Sequence, residues 1–269
     1  MDLEAEYNNR ARVPEHGDIM ADWARRAARH RDSAGGELDL AYGAHERQVC
    51  DIFRTRSDGG EAMAVFIHGG YWQALDKSLF SHMSLGLEVH GMAMCVPSYR
   101  LCPDVHVDDI IDDMRRLCLW LWQRHKRPLV VCGHSAGGHL AAAMVATDWS
   151  AHRAPDDLVR AGLGISGLYD LRPLIPTTIN KALRLDESSA REASPLVWPS
   201  PSGRRFEAWV GGEESAEYHR QSASLAACWL GSGVHAKTVV ESGANHFTVI
   251  QPLTDPASAM TNALADMCR

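Results

Sequence analysis

The stretch Leu129-Val130-Val131-Cys132-Gly133-His134-Ser135-Ala136-Gly137-Gly138-His139-Leu140-Ala141 carries the strongest signal in the chain. An apolar, β-branched run enters a Gly-x-Ser-x-Gly and leaves through alanines and leucine, so Ser135 sits where a buried strand turns sharply into a helix. A turn this tight brings the chain against itself, which requires Gly133 and Gly137 to lack side chains, and it lifts the serine hydroxyl above the sheet. The amides that follow, beginning with Ala136, lie at a helix N-terminus and can face developing negative charge. Gly-x-Ser-x-Gly alone recurs by chance. The strand before it and the helix after it favour a nucleophile elbow over a structural turn with a solvated serine.

Upstream, Ala62-Met63-Ala64-Val65-Phe66-Ile67-His68-Gly69-Gly70-Tyr71-Trp72 is a continuous apolar run that breaks into a polar Gly-Gly loop, the pattern of a strand buried on both faces. Glycines in such a loop let backbone amides approach a substrate closely.

A serine hydroxyl is a poor nucleophile at neutral pH, so Ser135 needs a base, and the base needs a group that fixes its tautomer. For an elbow of this type the chain order is Ser, then Asp or Glu, then His. With 14 histidines, residue type says little and position decides. His246, in Ser242-Gly243-Ala244-Asn245-His246-Phe247, follows the last apolar strand in a glycine-containing loop and is the expected base. His219 reads as helical, His235 opens a strand, and His134 and His139 flank the serine too closely to swing onto it. The acid is expected after the strand Arg205 to Val210, where the chain reads Gly211-Gly212-Glu213-Glu214-Ser215. Glu214 is the first choice and Glu213 the second, against the reading that they only cap the next helix. Asp170 is a further candidate, more in keeping with a turn or cap.

Strands and helices alternate along the rest of the chain, which implies an α/β fold with a mainly parallel sheet covered on both faces. Leu38 to Tyr42 and Arg47 to Arg54 read as an antiparallel edge hairpin, Lys77 to His90 as a helix, Met92 to Ser98 as a buried strand and Asp108 to Arg127 as a long helix. The set Asp108, Asp109, Asp112 and Asp113 reads as a solvated first turn, not a metal site. Residues 1–36 form a helical extension, with a helix from Asp18 to about Arg31 whose arginines face solvent and whose Trp23 packs on the main domain. Residues 171–201, rich in proline, form a small cap insertion, and the whole chain 1–269 is one domain.

At 269 residues, 45% hydrophobic and 23% charged, the chain is long enough for one large core, and a net charge of -7 argues against nucleic acid or an anionic membrane as partner. Seven cysteines without a Cys-x-x-Cys read as buried thiols of a reducing compartment. The acidic N-terminus has no signal core, and no stretch is apolar enough to span a bilayer, so a cytoplasmic location is expected. The expected partner is a small-molecule substrate, and a homodimer is compatible with the composition. No His-x-x-x-His or His-x-Glu pair stands near a third ligand, so neither metal nor cofactor is implied.

His68-Gly69-Gly70-Tyr71-Trp72, Gly133-His134-Ser135-Ala136-Gly137-Gly138, Ser166-Gly167-Leu168-Tyr169-Asp170-Leu171, Gly212-Glu213-Glu214-Ser215 and Asn245-His246-Phe247 together resemble the kynurenine formamidase (arylformamidase) branch of the α/β hydrolases. The resemblance implies metal-free hydrolysis of N-formyl-kynurenine to kynurenine and formate, a step of tryptophan catabolism, with Ser135 as nucleophile, His246 as base and Glu214 as acid. The chain departs from that pattern in carrying Glu where the family carries Asp. By resemblance to carboxylesterases with a three-glycine loop, the amides of Gly70, Tyr71 and Ala136 form the oxyanion hole. Tyr71, Trp72 and, from the cap, Trp198 are expected to wall an aromatic leaving group. A carboxylesterase acting on short acyl or aryl esters, or on related amides or carbamates, would use the same residues. A hydrolase-fold binding protein without catalysis is disfavoured by the complete set of candidate groups.

Overall fold

The structure, a computed structural model, describes residues 2–54 and 59–269. Eight strands, β1 (Glu37–Ala41), β2 (Val49–Phe53), β3 (Met63–Ile67), β4 (Met94–Pro97), β5 (Leu129–His134), β6 (Val159–Ile165), β7 (Arg205–Gly211) and β8 (His235–Glu241), form one sheet in the order β1-β2-β4-β3-β5-β6-β7-β8. β2 runs antiparallel to both β1 and β4, and every pairing from β4 through β3, β5, β6 and β7 to β8 is parallel. The hairpin read from Leu38 and Arg47 is therefore present at the sheet edge.

Alternation along the strands divides the core in two. Met63, Val65 and Ile67 of β3, with Leu129 and Val131 of β5, pack under the helices Val107–His125, Ala136–Ala146 and Ala216–Leu230. Ala64, Phe66, Val130 and Cys132 face the opposite layer, which holds Trp23 from the helix His16–Ser33 and Met260 and Leu264 from Ala259–Cys268. Both faces of β3 and β5 are thus covered, which is why these strands read as unbroken apolar runs.

Three expectations need correction. Lys77 to His90 is not one helix: two 3-10 turns, Lys77–Leu79 and Ser81–Ser84, precede a short helix, Leu85–Val89. Ser84 explains part of this, because its hydroxyl is bonded to the Ser81 carbonyl at 2.9 Å and to His30 at 2.8 Å, competing with a regular helix. Asp113 is not solvated but fully buried, where it holds Arg100 at 2.7 Å and Gln48 at 2.7 Å. Arg31 likewise leaves the solvated face to pair with Asp51. Of the seven cysteines six are buried, with only Cys228 exposed.

Asp51 on β2 ties three elements together. Its buried carboxylate receives Arg31 from the N-terminal helix, Lys77 Nζ at 2.7 Å from the segment after the Gly-Gly loop, and the Asp39 amide at 2.9 Å from β1. Removing it would leave the Lys77 ammonium, itself 4% exposed, with only the largely exposed Asp39 carboxylate at 2.6 Å, and would take from Arg31 its buried partner. Asp51→Ala is therefore expected to lower the unfolding free energy in urea by about 3–5 kcal/mol, against roughly 0.5 kcal/mol or less for Asp22→Ala at an exposed pair.

Candidate active site

Ser135 joins β5 to the helix Ala136–Ala146 with φ 57° and ψ −117°, a backbone conformation that non-glycine residues adopt only when their surroundings enforce it. The surroundings do. The Ser135 amide donates to the Ile165 carbonyl at 2.8 Å, and its own carbonyl accepts from Gly138 and His139 at 2.9 and 3.1 Å. A Cβ on Gly133 would collide with the Gly137 carbonyl, and one on Gly137 with the Ile67 carbonyl, so both positions must be glycine.

His246 follows β8, and its Nδ1 lies 2.6 Å from Glu214 Oε2. Glu214 Oε1 accepts from the Gly211 amide at 2.7 Å and from the Ser166 hydroxyl. A carboxylate can only accept, so Nδ1 of His246 carries a proton, and, in the neutral tautomer this sets, Nε2 is the nitrogen able to accept one. The loop carrying His246 is fixed from behind: His134 Nε2 is bonded to the His246 carbonyl at 2.8 Å. Complete burial, with His246 beside it, holds His134 well below the usual histidine range, so it remains a neutral donor. His139 is bonded to the Ala193 carbonyl at 2.6 Å, and burial lowers its pKa to about 4.

The structure thus brings Glu214 to His246 and leaves Glu213 exposed. Asp170 is engaged by Arg172 at 2.8 and 2.9 Å. Ser135 and His246 line one cavity of about 440 Å³, together with Gly70 and Tyr71. Gly70 (φ 105°), Tyr71 (φ 48°) and Trp72 (φ 55°) are three successive left-handed residues. The loop packs directly on the elbow, since a Cβ on Gly69 would lie 3.0 Å from the Ser135 Cβ. The amides of Gly70 and Tyr71 donate to no other described residue, and Ala136, first in its helix, has no intrahelical acceptor for its own.

The aromatic walls differ from expectation. Trp72 is fully buried beneath the loop, edge-on to His139 with ring centroids 5.0 Å apart, and does not line the cavity. The left-handed turn sends Tyr71 to the cavity and its neighbour back into the core. Trp198 lies in a separate surface depression beside Arg115 and donates its indole N–H to the Glu192 carbonyl at 2.6 Å. Trp23 and Phe247 take their place as lining residues, 6.1 Å apart by ring centroid.

Residues without a sequence motif complete the site. Tyr218, on the helix after Glu214, has its ring centroid 4.7 Å from that of His246. Asn9 Nδ2 donates to the Tyr218 oxygen at 2.8 Å, the Tyr218 and Tyr71 oxygens are 2.7 Å apart, and Tyr71 donates to the Tyr7 carbonyl at 2.6 Å. Because the carbonyl can only accept, the chain runs one way: Tyr71 donates to the Tyr7 carbonyl, Tyr218 donates to Tyr71, and Asn9 donates to Tyr218. Burial raises the phenols of Tyr71 and Tyr218 above the usual tyrosine range, so both stay protonated. Their only advance signals were aromatic and amide residues in helices, which ordinarily mark core.

Residues 64–198 match the family model described as the alpha/beta hydrolase fold. A kynurenine formamidase of Salmo salar is 31% identical over 249 residues, covering 89% of this chain and 84% of that protein. The kynurenine formamidase of Danio rerio is 29% identical over 238 residues, 86% of this chain and 81% of its own length. The chain belongs to the kynurenine formamidase-like branch of the α/β hydrolases. Among solved structures, a candidate thioesterase from Silicibacter sp. TM1040 superposes with a TM-score of 0.90 at 33% identity, covering 98% of this chain and 99% of that one. A carbohydrate esterase from gut microbiota, at 16% identity and TM-score 0.70 over 87% of this chain and 96% of its own, shares the fold. As a member of this branch the protein is a hydrolase, and among its described residues no helix is long and apolar enough to cross a membrane.

The geometry gives the acid a distinct test. Glu214→Gln keeps the shape of the side chain but removes the charge that orients His246, and is expected to lower kcat by about 10⁴. Glu213→Gln is expected to stay within about twofold of wild type, as for a surface substitution. Steady-state kinetics on any cleaved substrate reads both.

Proposed function

We propose that this α/β hydrolase cleaves a small aryl formamide, N-formyl-kynurenine first among candidates, into the aryl amine and formate through a formyl-enzyme on Ser135. The observation that carries the reading is that His246, 2.6 Å from Glu214, lines the same cavity as the strained Ser135. Similarity to formamidases over most of the chain supports the substrate.

In the proposed sequence the Ser135 hydroxyl bonds to His246 Nε2 once substrate is in place, an arrangement that tightens only in the complex. Ser135 Oγ attacks the formyl carbon while Nε2 takes its proton, and Glu214 steadies the resulting imidazolium. The carbonyl oxygen, now negative, is received by the amides of Gly70, Tyr71 and Ala136, each such donor being worth about 3–4 kcal/mol to the transition state. The imidazolium then protonates the leaving nitrogen as the C–N bond breaks. Water, deprotonated by His246, attacks the formyl ester, and Ser135 leaves with the proton. Trp23 and Phe247 offer flat apolar walls for the aryl ring.

A carboxylesterase or thioesterase reading uses the same groups and is favoured by the solved structure at 33% identity. Kinetics on N-formyl-kynurenine beside p-nitrophenyl acetate separates the two. The formamidase reading expects kcat/KM of about 10⁴ M⁻¹s⁻¹ or more on the formamide, with activity abolished in Ser135→Ala. Cleavage of the ester alone would remove the formamide from the proposal and leave the Ser135 chemistry standing.

A further inference from the structure

The loop of residues 69–72, proposed above to receive the oxyanion, is supported in two ways. Its backbone is held from behind. The Gly69 carbonyl accepts from His68 Nδ1 at 2.7 Å and from the Tyr99 hydroxyl at 3.3 Å, and the Gly70 carbonyl accepts from the Gln73 amide at 3.0 Å. In a trans peptide the C=O and N–H point opposite ways, so the amides of Gly70 and Tyr71 are turned away from these contacts.

The second support is the Tyr71 phenol. Tyr71 is left-handed at φ 48°, and a residue with a side chain keeps that conformation only where its surroundings enforce it. The phenol donates to the Tyr7 carbonyl at 2.6 Å, and its oxygen takes the Tyr218 hydroxyl at 2.7 Å and Asn9 Nδ2 at 3.4 Å. With one proton and two lone pairs all engaged, it has no capacity left for a ligand. Tyr7 and Asn9 belong to two short helices, Leu3–Tyr7 and Asn9–Arg12, which form a wall of the cavity. That wall is itself pinned: Glu4 takes the Thr178 amide and hydroxyl at 2.7 and 2.6 Å, and Tyr7 donates to Glu217 at 2.7 Å. The phenol therefore ends on a fixed post 64 residues away in sequence.

We propose that the Tyr71 side chain is a positioning group: its hydroxyl, held by Tyr7 and Tyr218, aims the amides of Gly70 and Tyr71 at the developing oxyanion. The proposal rests on hydrolysis at Ser135 and deepens it, giving the N-terminal helices a part in stabilising the transition state. Sheet register brings the loop to Ser135, and the phenol decides where its amides point. Without the hydroxyl the left-handed turn relaxes. The cavity walls still bind the ground state, and the loss falls on contacts made to the charged oxygen.

Tyr71→Phe keeps the ring and removes the hydroxyl. On p-nitrophenyl acetate or N-formyl-kynurenine, whichever is turned over, it is expected to lower kcat by about tenfold or more with KM within about twofold, the pattern of misaimed transition-state donors. Tyr218→Phe removes a donor to the same oxygen from the other side and is the independent variant, expected to act in the same direction. The double variant falls little below the lower single, because both break one chain. Tyr42→Phe removes a buried phenol-to-carbonyl bond of the same length, 2.6 Å to Ser98, away from the loop, and is expected to leave kcat unchanged. Two inhibitors then separate aim from general loosening: 1,1,1-trifluoro-4-phenylbutan-2-one, whose carbonyl becomes an oxyanion when Ser135 adds to it, and the corresponding alcohol, which cannot. Tyr71→Phe is expected to weaken the ketone by about tenfold or more and the alcohol by less than about twofold. A loss carried by KM, equal weakening of ketone and alcohol, or a Tyr71→Phe enzyme within about twofold of wild type would overturn the proposal. Cleavage of the ester alone removes the formamide and leaves this test in place. A wild type that cleaves neither substrate and binds the ketone no better than the alcohol strikes the Ser135 chemistry, and this proposal with it.

Discussion

The Ile67 carbonyl and the Gly137 α-carbon stand too close for any side chain to fit between them. That single approach locks the end of β3 to the start of the helix after β5, and so sets the Gly-Gly loop beside the elbow. The strain at Ser135 is held by the same contacts, because parallel pairing of β5 with β3 and β6 fixes the strand end from both sides. The placement of Ser135 and of the candidate oxyanion amides is consequently a product of sheet register. They come from segments more than sixty residues apart, yet neither can shift without unpairing a central strand.

The candidate acid and base occupy the next two strand ends. Glu214 and His246 follow β7 and β8, whose parallel pairing brings the two loops together, and Gly211 and Ser166 supply donors that orient the carboxylate. Glutamate here reaches the imidazole with one methylene more than aspartate has, and Ser166 on the loop after β6 donates to its other oxygen. Four successive parallel strands, β5 to β8, thus each end in a residue of the site or its support.

How much of this could be read beforehand follows from which contacts are local. The strands β3 and β5 are legible because burial on both faces leaves unbroken apolar runs, and the elbow because backbone crowding dictates its glycines. Ser135, Glu214 and His246 follow from chain order on such a sheet. The aromatic walls were not legible: whether Tyr71 or Trp72 faces the cavity depends on three left-handed residues in succession, which the letters Gly-Gly-Tyr-Trp do not announce. Tyr218 and Asn9 were missed for a different reason. Their partners lie about two hundred residues apart in sequence, so nothing in either neighbourhood hints at the other. Lys77 to His90 misled because its buried Ser84 makes side-chain to backbone bonds that a helical pattern does not reveal.

The helix Ala216–Leu230 begins two residues after Glu214, and its first turns present Glu217, Tyr218 and Gln221 to Tyr7 and Asn9. Its N-terminal end therefore serves as a common hinge plate for the acid loop on one side and the N-terminal wall on the other. Opening the wall means breaking bonds on the first turns of the helix that follows the Glu214 loop. Movement of the N-terminal wall and fraying of the helix that follows the candidate acid are in this way one cooperative unit.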